Sequence, residues 1–164
     1  MTLPVPKTSD AEADQITVAT NANIKPQILN CISASKQTID LELTEISDSD
    51  VVAALISAME KGIQVRLIVG SEQAKGTPNT LENLRASGAQ IRYCPSAEPT
   101  PLTRCYALFD RQTLIFSSSG WTNAVFVRNH EISVTAPSPQ ATVRLAQAFS
   151  DDWSISSSQL NADQ

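Results

Sequence analysis

Short apolar runs alternate with amphipathic stretches along most of the chain, an order that predicts β-α-β units rather than a sandwich or a helical bundle. Ile16 to Thr20 predicts a strand. Pro26 to Lys36 predicts a helix with Ile28, Cys31 and Ile32 on one face, and Thr38 to Leu43 alternates Ile39, Leu41 and Leu43 as a second strand. The second helix is the clearest element. Ser49 or Asp48 can cap it, Val52, Leu55, Ile56 and Met59 recur at helical spacing, and Gly62 stands where a left-handed residue would end it. Val65 to Val69 is nearly continuous in apolar residues, as a buried parallel strand requires.

Farther on, Thr77-Pro78 opens a third helix with Leu81 and Leu84 inward, and Gly88 closes it before a strand from Gln90 to Cys94. Arg104 to Phe109 and Thr113 to Ser117 predict two strands joined by the turn Asp110-Arg111-Gln112. Asn129 to Thr135 predicts another strand. A last helix, capped by Ser138 and opened by Pro139, places Leu145, Ala146, Phe149 and Trp153 on one face. The fold class implied is α/β, with a mixed, mostly parallel sheet flanked by helices on both faces. Residues 1–15 and 154–164 lack this periodicity and are expected to be tails, leaving one domain over residues 16–153.

Composition narrows the options. A chain of 164 residues with 41% hydrophobic and 18% charged residues suits one well-cored domain. No stretch approaches the roughly 20 apolar residues of a membrane span, and no secretory signal is visible, so a cytoplasmic setting is expected. The net charge of −5, with 12 dispersed Lys and Arg, makes nucleic acid an unlikely partner, because such binding rests on clustered cations displacing counterions. Cys31, Cys94 and Cys105 lack metal-ligand spacing, and the chain has one histidine, His130, so neither a metal nor another cofactor is implied.

The second half carries a more specific pattern. Ala53 to Val69, AALISAMEKGIQVRLIV, followed by LENLRASGAQIRY at residues 81–93, resembles the helices and strands that precede the active-site hairpin of the phospholipase D superfamily. Gly70 stands where that family usually has an acid. The family motif is His-x-Lys, four residues, Asp, six residues, Gly-Ser-x-Asn. With its Asp on Asp110, the His falls on Thr103, the Lys on Cys105, and Gly-Ser-x-Asn on Ser117, Ser118, Ser119 and Gly120. Trp121-Thr122 and Asn129-His130-Glu131 then stand where the family commonly has Trp-Thr and Asn-x-Glu.

The resemblance implies a phosphodiesterase fold whose catalytic letters have been replaced. In that family the histidine attacks phosphorus, and Lys, Ser and Asn hold the phosphoryl oxygens in the transition state. Thr103 has no base to activate its hydroxyl, Cys105 supplies no positive charge, and Gly120 no amide. Ser118 alone would make a weak site for a phosphate or phospholipid. Asp110 can be explained by an Asx turn at a hairpin tip, and Glu131, which in the family orients the histidine, is either solvated or bound to hydroxyls and backbone nearby. Strand alternation sets Thr103, Cys105 and Ala107 on one face and His130 opposite Glu131. Cys105 is expected to be an inert buried thiol, lacking a cation to lower its pKa.

Three functions remain open on these grounds. The preferred one is a catalytically inactive phospholipase D-like module that binds or assembles. The others are a phosphodiesterase active only with a partner's motif, and an unrelated α/β interaction domain. A homodimer, or pairing with a related domain, is expected through the edge of the hairpin, where Trp121, Val125, Phe126 and Val127 form an apolar segment; a core role for that segment is the alternative.

Overall fold

The computed structural model describes residues 15–70, 78–94 and 102–159. Residues 1–14 and 160–164 of the expected tails, and Thr77 ahead of the third helix, lie outside them. The strands are β1 (Thr17–Thr20), β2 (Thr38–Leu43), β3 (Gln64–Gly70), β4 (Gln90–Cys94), β5 (Tyr106–Phe109), β6 (Thr113–Ser117) and β7 (Ile132–Pro137). The helices are α1 (Ile24–Ala34), α2 (Ser49–Glu60), α3 (Pro78–Ala86), α4 (Asn123–Val127) and α5 (Pro139–Ile155). All seven strands form one mixed sheet in the order β1-β7-β6-β5-β2-β3-β4.

The balance of that sheet differs from the expectation. Only β2–β3 and β3–β4 pair in parallel, through crossovers carrying α2 and α3, whereas β5, β6 and β7 meander and every other pairing is antiparallel. The β5–β6 hairpin also lies inside the sheet, between β2 and β7. It therefore has no free edge through which a partner could pair, which corrects the expected mode of association.

Asp48 caps α2, its carboxylate accepting from the amides of Asp50 and Val51 at 3.1 Å. The fully buried positions of α2 are Val51, Leu55 and Ala58, while Val52, Ile56 and Met59 pack beside them, so the buried stripe is turned by one residue from the expected one. Gly62 and Gly88 end α2 and α3 with φ of +86° and +109°, conformations that a Cβ would strain. Leu81 and Leu84 point inward as expected. On this face α1, α2 and α3 cover Ile39, Leu41, Leu67 and Ile91 in the larger core cluster.

On the other face stand Asp40, Glu42, Arg66, Ile68, Tyr106, Leu108 and Leu114, covered by α5 through Phe149, with Leu145 and Trp153 packed alongside. Asp40 is buried, and Arg66 grips it with two hydrogen bonds of 2.7 Å while lying over the rings of Phe149 and Trp153. The fold does not stop at residue 153. The helix α5 continues to Ile155, and Ser157 exchanges backbone hydrogen bonds of 2.7 and 3.0 Å with Tyr93 on the outer strand β4.

The segment after the hairpin departs most from expectation. Thr122 caps the short helix α4 by accepting from the amide of Val125 at 3.2 Å, and β7 starts at Ile132 rather than Asn129. Trp121, Val125 and Phe126 are buried in the larger core, and of the four apolar residues only Val127 is exposed. A charge at Phe126 would therefore break the monomer, not probe an interface.

Candidate functional site

Apart from Asp110, the motif positions lie toward one end of the sheet, where β2 and β6 end and β5 begins. Ser118 donates its hydroxyl to Glu131, and the same oxygen accepts the amide of Ile132 at 3.1 Å. Asn129 adds a side-chain hydrogen bond to the other carboxylate oxygen of Glu131 at 3.3 Å. Asn21, in the 3-10 turn just after β1, fixes the backbone of Glu131: its amide donates to the Glu131 carbonyl and its side chain accepts the Glu131 amide, both at 3.1 Å. The positive φ of Asn21, 52°, is one that asparagine tolerates better than most residues.

Cys105, just before β5, is 1% exposed and shares a 3.3 Å hydrogen bond with the hydroxyl of Thr44. Burial pushes its thiol above the ordinary cysteine range; the Thr44 contact pulls the other way, and the charges of Glu42 and Glu131 add to the rise. The thiol is thus protonated, the opposite of what a nucleophile or a cation-mimicking clamp needs. Thr103 sits ahead of β5, which begins only at Tyr106, and is exposed. Strand alternation therefore does not reach it. Nor does it govern His130, exposed in the loop before β7, or Glu131, half-buried in the same loop.

The rest of the motif segment is occupied internally. The Ser117 hydroxyl accepts the indole N–H of Trp121 at 3.2 Å. The buried hydroxyl oxygen of Ser119 has no hydrogen-bond partner among the described residues. Gly120 abuts the next loop so closely that a Cβ there would lie 2.5 Å from the Glu45 carbonyl oxygen, 2.8 Å from its nitrogen and 3.0 Å from the Thr44 hydroxyl.

Asp110 belongs to the far end of the hairpin, separated from Ser118 by the length of β6, on the order of 15 Å. Its carboxylate accepts from the amides of Lys36, Gln37 and Thr38 at 2.8, 2.8 and 2.9 Å, so it ties the hairpin tip to the start of β2 rather than forming an Asx turn of its own. Burial alone would raise its pKa, but the three amides outweigh burial and hold the carboxyl below its ordinary range. Asp110 and Arg111, with φ of 53° and 55°, make the tight turn between the strands.

The structure therefore brings together Cys105, Ser118, Gly120 and Glu131, leaves Thr103 on the approach and sends Asp110 elsewhere. Thr44, which touches both Cys105 and the space beside Gly120, was not signalled by any motif. Among the described residues no group of three or more His, Cys, Asp or Glu could hold a metal ion, and no helix is long and apolar enough to cross a membrane.

The fold is a single α/β domain, a seven-stranded mixed sheet with helices on both faces. Residues 28–153 match the family described as "Cardiolipin synthase, PLD-like domain", and the chain belongs to that family within the phospholipase D superfamily. The mitochondrial cardiolipin hydrolase of Chlamydomonas reinhardtii is 22% identical over 129 residues, covering 79% of this chain and 57% of that protein. The human mitochondrial cardiolipin hydrolase is 24% identical over 105 residues, covering 64% of this chain and 41% of that protein. The chain thus spans about half the length of these relatives. Nuc, a phospholipase D family member from Salmonella typhimurium, superposes with a TM-score of 0.78 at 18% identity, covering 86% of this chain and 96% of Nuc. Phosphatidylserine synthase from Haemophilus influenzae gives 0.75 at 14% identity, covering 93% of this chain and 40% of the synthase. At these identities the structures speak for the fold alone.

Proposed function

We propose that this chain is a catalytically silent phospholipase D-like module that acts by binding or assembly. The observation that carries the reading is the site's charge. Where the family places an attacking imidazole and a phosphate-clamping ammonium, this chain presents an exposed hydroxyl, Thr103, and a buried, protonated thiol, Cys105, beside the carboxylate of Glu131. An anionic phosphodiester meets repulsion there rather than stabilisation. Loss of a nucleophile can lower turnover on the order of 10⁶-fold where catalytic groups act as a unit.

Cardiolipin is the first substrate to try, because two relatives are named for its hydrolysis, followed by bis-p-nitrophenyl phosphate and single-stranded DNA. The purified chain is expected to turn over none of them above buffer. Activity that survives repurification and falls in Ser118→Ala or Glu131→Gln would overturn the reading.

Self-association through a sheet face belongs to the same proposal. Val18, Val134 and Phe116 are cross-strand neighbours on one face, with Ile132 beside them, and α5 packs mainly over the β4-to-β6 side of it. Val18, Phe116 and Ile132 remain 57%, 48% and 48% exposed. Ile132 adjoins Ser118, so an isologous contact on this row would set two motif sites side by side. Sedimentation at micromolar concentration is expected to show a dimer that Phe116→Glu converts to a folded monomer. A wild-type chain that is monomeric throughout would contradict it. The three cysteines are free thiols, which suits a reducing compartment such as the cytoplasm.

A further inference from the structure

Two carboxylates share one guanidinium where the last turn of α5 meets the ends of β2 and β4. Glu42, next to last in β2, is fully buried, and one of its carboxylate oxygens has no hydrogen-bond partner among the described residues. The Arg104 guanidinium approaches that oxygen at 3.0 Å and also pairs with Asp152 on α5.

Asp152 is also where the final described segment is tied down. Its carbonyl accepts the amide and the hydroxyl of Ser156 at 3.0 and 2.7 Å. Arg92 on β4 donates to the Trp153 carbonyl at 2.5 Å, and Ser157 exchanges two backbone hydrogen bonds with Tyr93. Residues 152–157 thus form a strap over the outer edge of β4, the last strand in the sheet order.

The protonation of Glu42 decides whether this arrangement is balanced. With Glu42 protonated, Arg104 belongs to Asp152, and Tyr106 and Glu42 share a neutral hydrogen bond. With Glu42 ionised, the guanidinium is divided and a buried negative charge faces Asp152, a cost that opening the last turn of α5 to water relieves. The other charged or titratable groups around Glu42 do not offset it. Arg66 on β3 is taken by Asp40, and Arg92 on β4 by the Trp153 carbonyl. Cys94 on β4 and Tyr106 on β5 stay neutral, because burial first, and then the neighbouring carboxylates, raise their pKa values.

We infer that Glu42, Arg104 and Asp152 form a proton-operated latch, which holds the last turn of α5 and its strap on β4 when Glu42 is protonated and releases them when it ionises. Release frees the amide and carbonyl of Tyr93 on the sheet edge. The latch uses none of the motif positions and stands independently of the silent-module reading. Burial is the main reason the Glu42 carboxyl stands at about 7 rather than 4.5, so the closed form holds its proton more tightly than the open form. Opening therefore grows between pH 4.5 and 7 and levels off above.

The test is amide hydrogen exchange of the full chain at low urea from pH 5 to 8, corrected for the intrinsic pH dependence of exchange. The Tyr93 and Ser157 amides are expected to exchange through an opening with little urea dependence, whose equilibrium constant rises roughly tenfold or more over that range. The Gly62 amide, bonded to Met59 at the end of α2, serves as a local opening that shows no such rise. Glu42→Gln should hold the strap closed at every pH. Asp152→Asn removes the second carboxylate and should cut the pH response roughly threefold or more. His130→Gln, which removes the only histidine, should leave the response intact. The latch is refuted if Tyr93 and Ser157 exchange only by urea-dependent global unfolding, or if their opening is flat with pH. A response that persists in Glu42→Gln, that is unchanged in Asp152→Asn or that disappears in His130→Gln would refute it equally.

Discussion

A Gly120→Asn chain is expected to melt roughly 6–12 °C below the wild type, although asparagine is the residue the family motif places there. The cause lies at the first side-chain atom. A Cβ on Gly120 would stand 2.5 Å from the Glu45 carbonyl oxygen, and that oxygen accepts the Trp121 amide at 2.8 Å. The Trp121 carbonyl in turn accepts the amides of Ser47 and Asp48 at 3.0 and 3.2 Å. The colliding atoms are backbone held at both ends, not the tip of a flexible side chain, and Trp121 itself is fully buried. Relief requires breaking part of this ladder, so the cost belongs at the upper end of overpacking effects, about 3 kcal/mol. Gly120→Ala should show most of the loss, because it adds the offending carbon alone. Thermal unfolding followed by circular dichroism decides: an asparagine variant with the wild-type melting temperature would refute the argument. The same geometry makes Thr103→His, Cys105→Lys, Gly120→Asn a poor route to phosphodiesterase activity, because it also places an ammonium in the larger core where Cys105 is buried.

The collision also shows why the site was only partly legible in the sequence. The strands on either side of Asp110 were legible because each carries its own short apolar run. Helix caps and positive-φ glycines, such as Asp48, Gly62 and Gly88, were legible because each acts within one turn of its own position. What could not be read depends on contacts distant in sequence. Thr44 meets Cys105 across 61 positions, Asp110 reaches the amides of residues 36–38, and Asn21 clamps Glu131 across 110 positions. The α4 segment misled for a related reason. Five residues are too few for helical periodicity to show, so an apolar run around Phe126 suggests a surface patch, although Thr122 before it is a residue type favoured at helix N-caps. Of the three parallel strands only β3 was recognisable as such, by its nearly continuous apolar run, and periodicity does not reveal how β5, β6 and β7 turn back on themselves.

Stability is expected to fall between pH 5 and pH 8 by roughly 2–3 kcal/mol, and Glu42 is the group responsible. Its side chain on β2 is completely buried under α5. Tyr106 donates to one carboxylate oxygen at 2.6 Å, and the Arg104 guanidinium approaches the other at 3.0 Å as an ion pair without hydrogen-bond alignment. Arg104 is divided between Glu42 and Asp152, and Cys94 also lies within the field of Glu42. Burial raises the Glu42 carboxyl; Tyr106 and Arg104 oppose the rise and the charge of Asp152 adds to it, leaving it at about 7 against an ordinary 4.5. The folded chain therefore holds this proton more tightly than the unfolded chain. Its contribution is fully present below about pH 4.5 and is lost as pH rises through 7. Asp110 acts in the opposite sense, but its depressed carboxyl matters only in more acidic solution, outside this window. Glu42→Gln keeps an acceptor for the Tyr106 hydroxyl and removes the titration. It should flatten the profile between pH 5 and 8 and melt about 5–10 °C above the wild type at pH 8. Urea unfolding at half-unit steps of pH measures both chains on one scale. A flat wild-type profile, or a Glu42→Gln profile that slopes as steeply as the wild type, would show that the buried carboxylate remains ionised and that Arg104 compensates it fully.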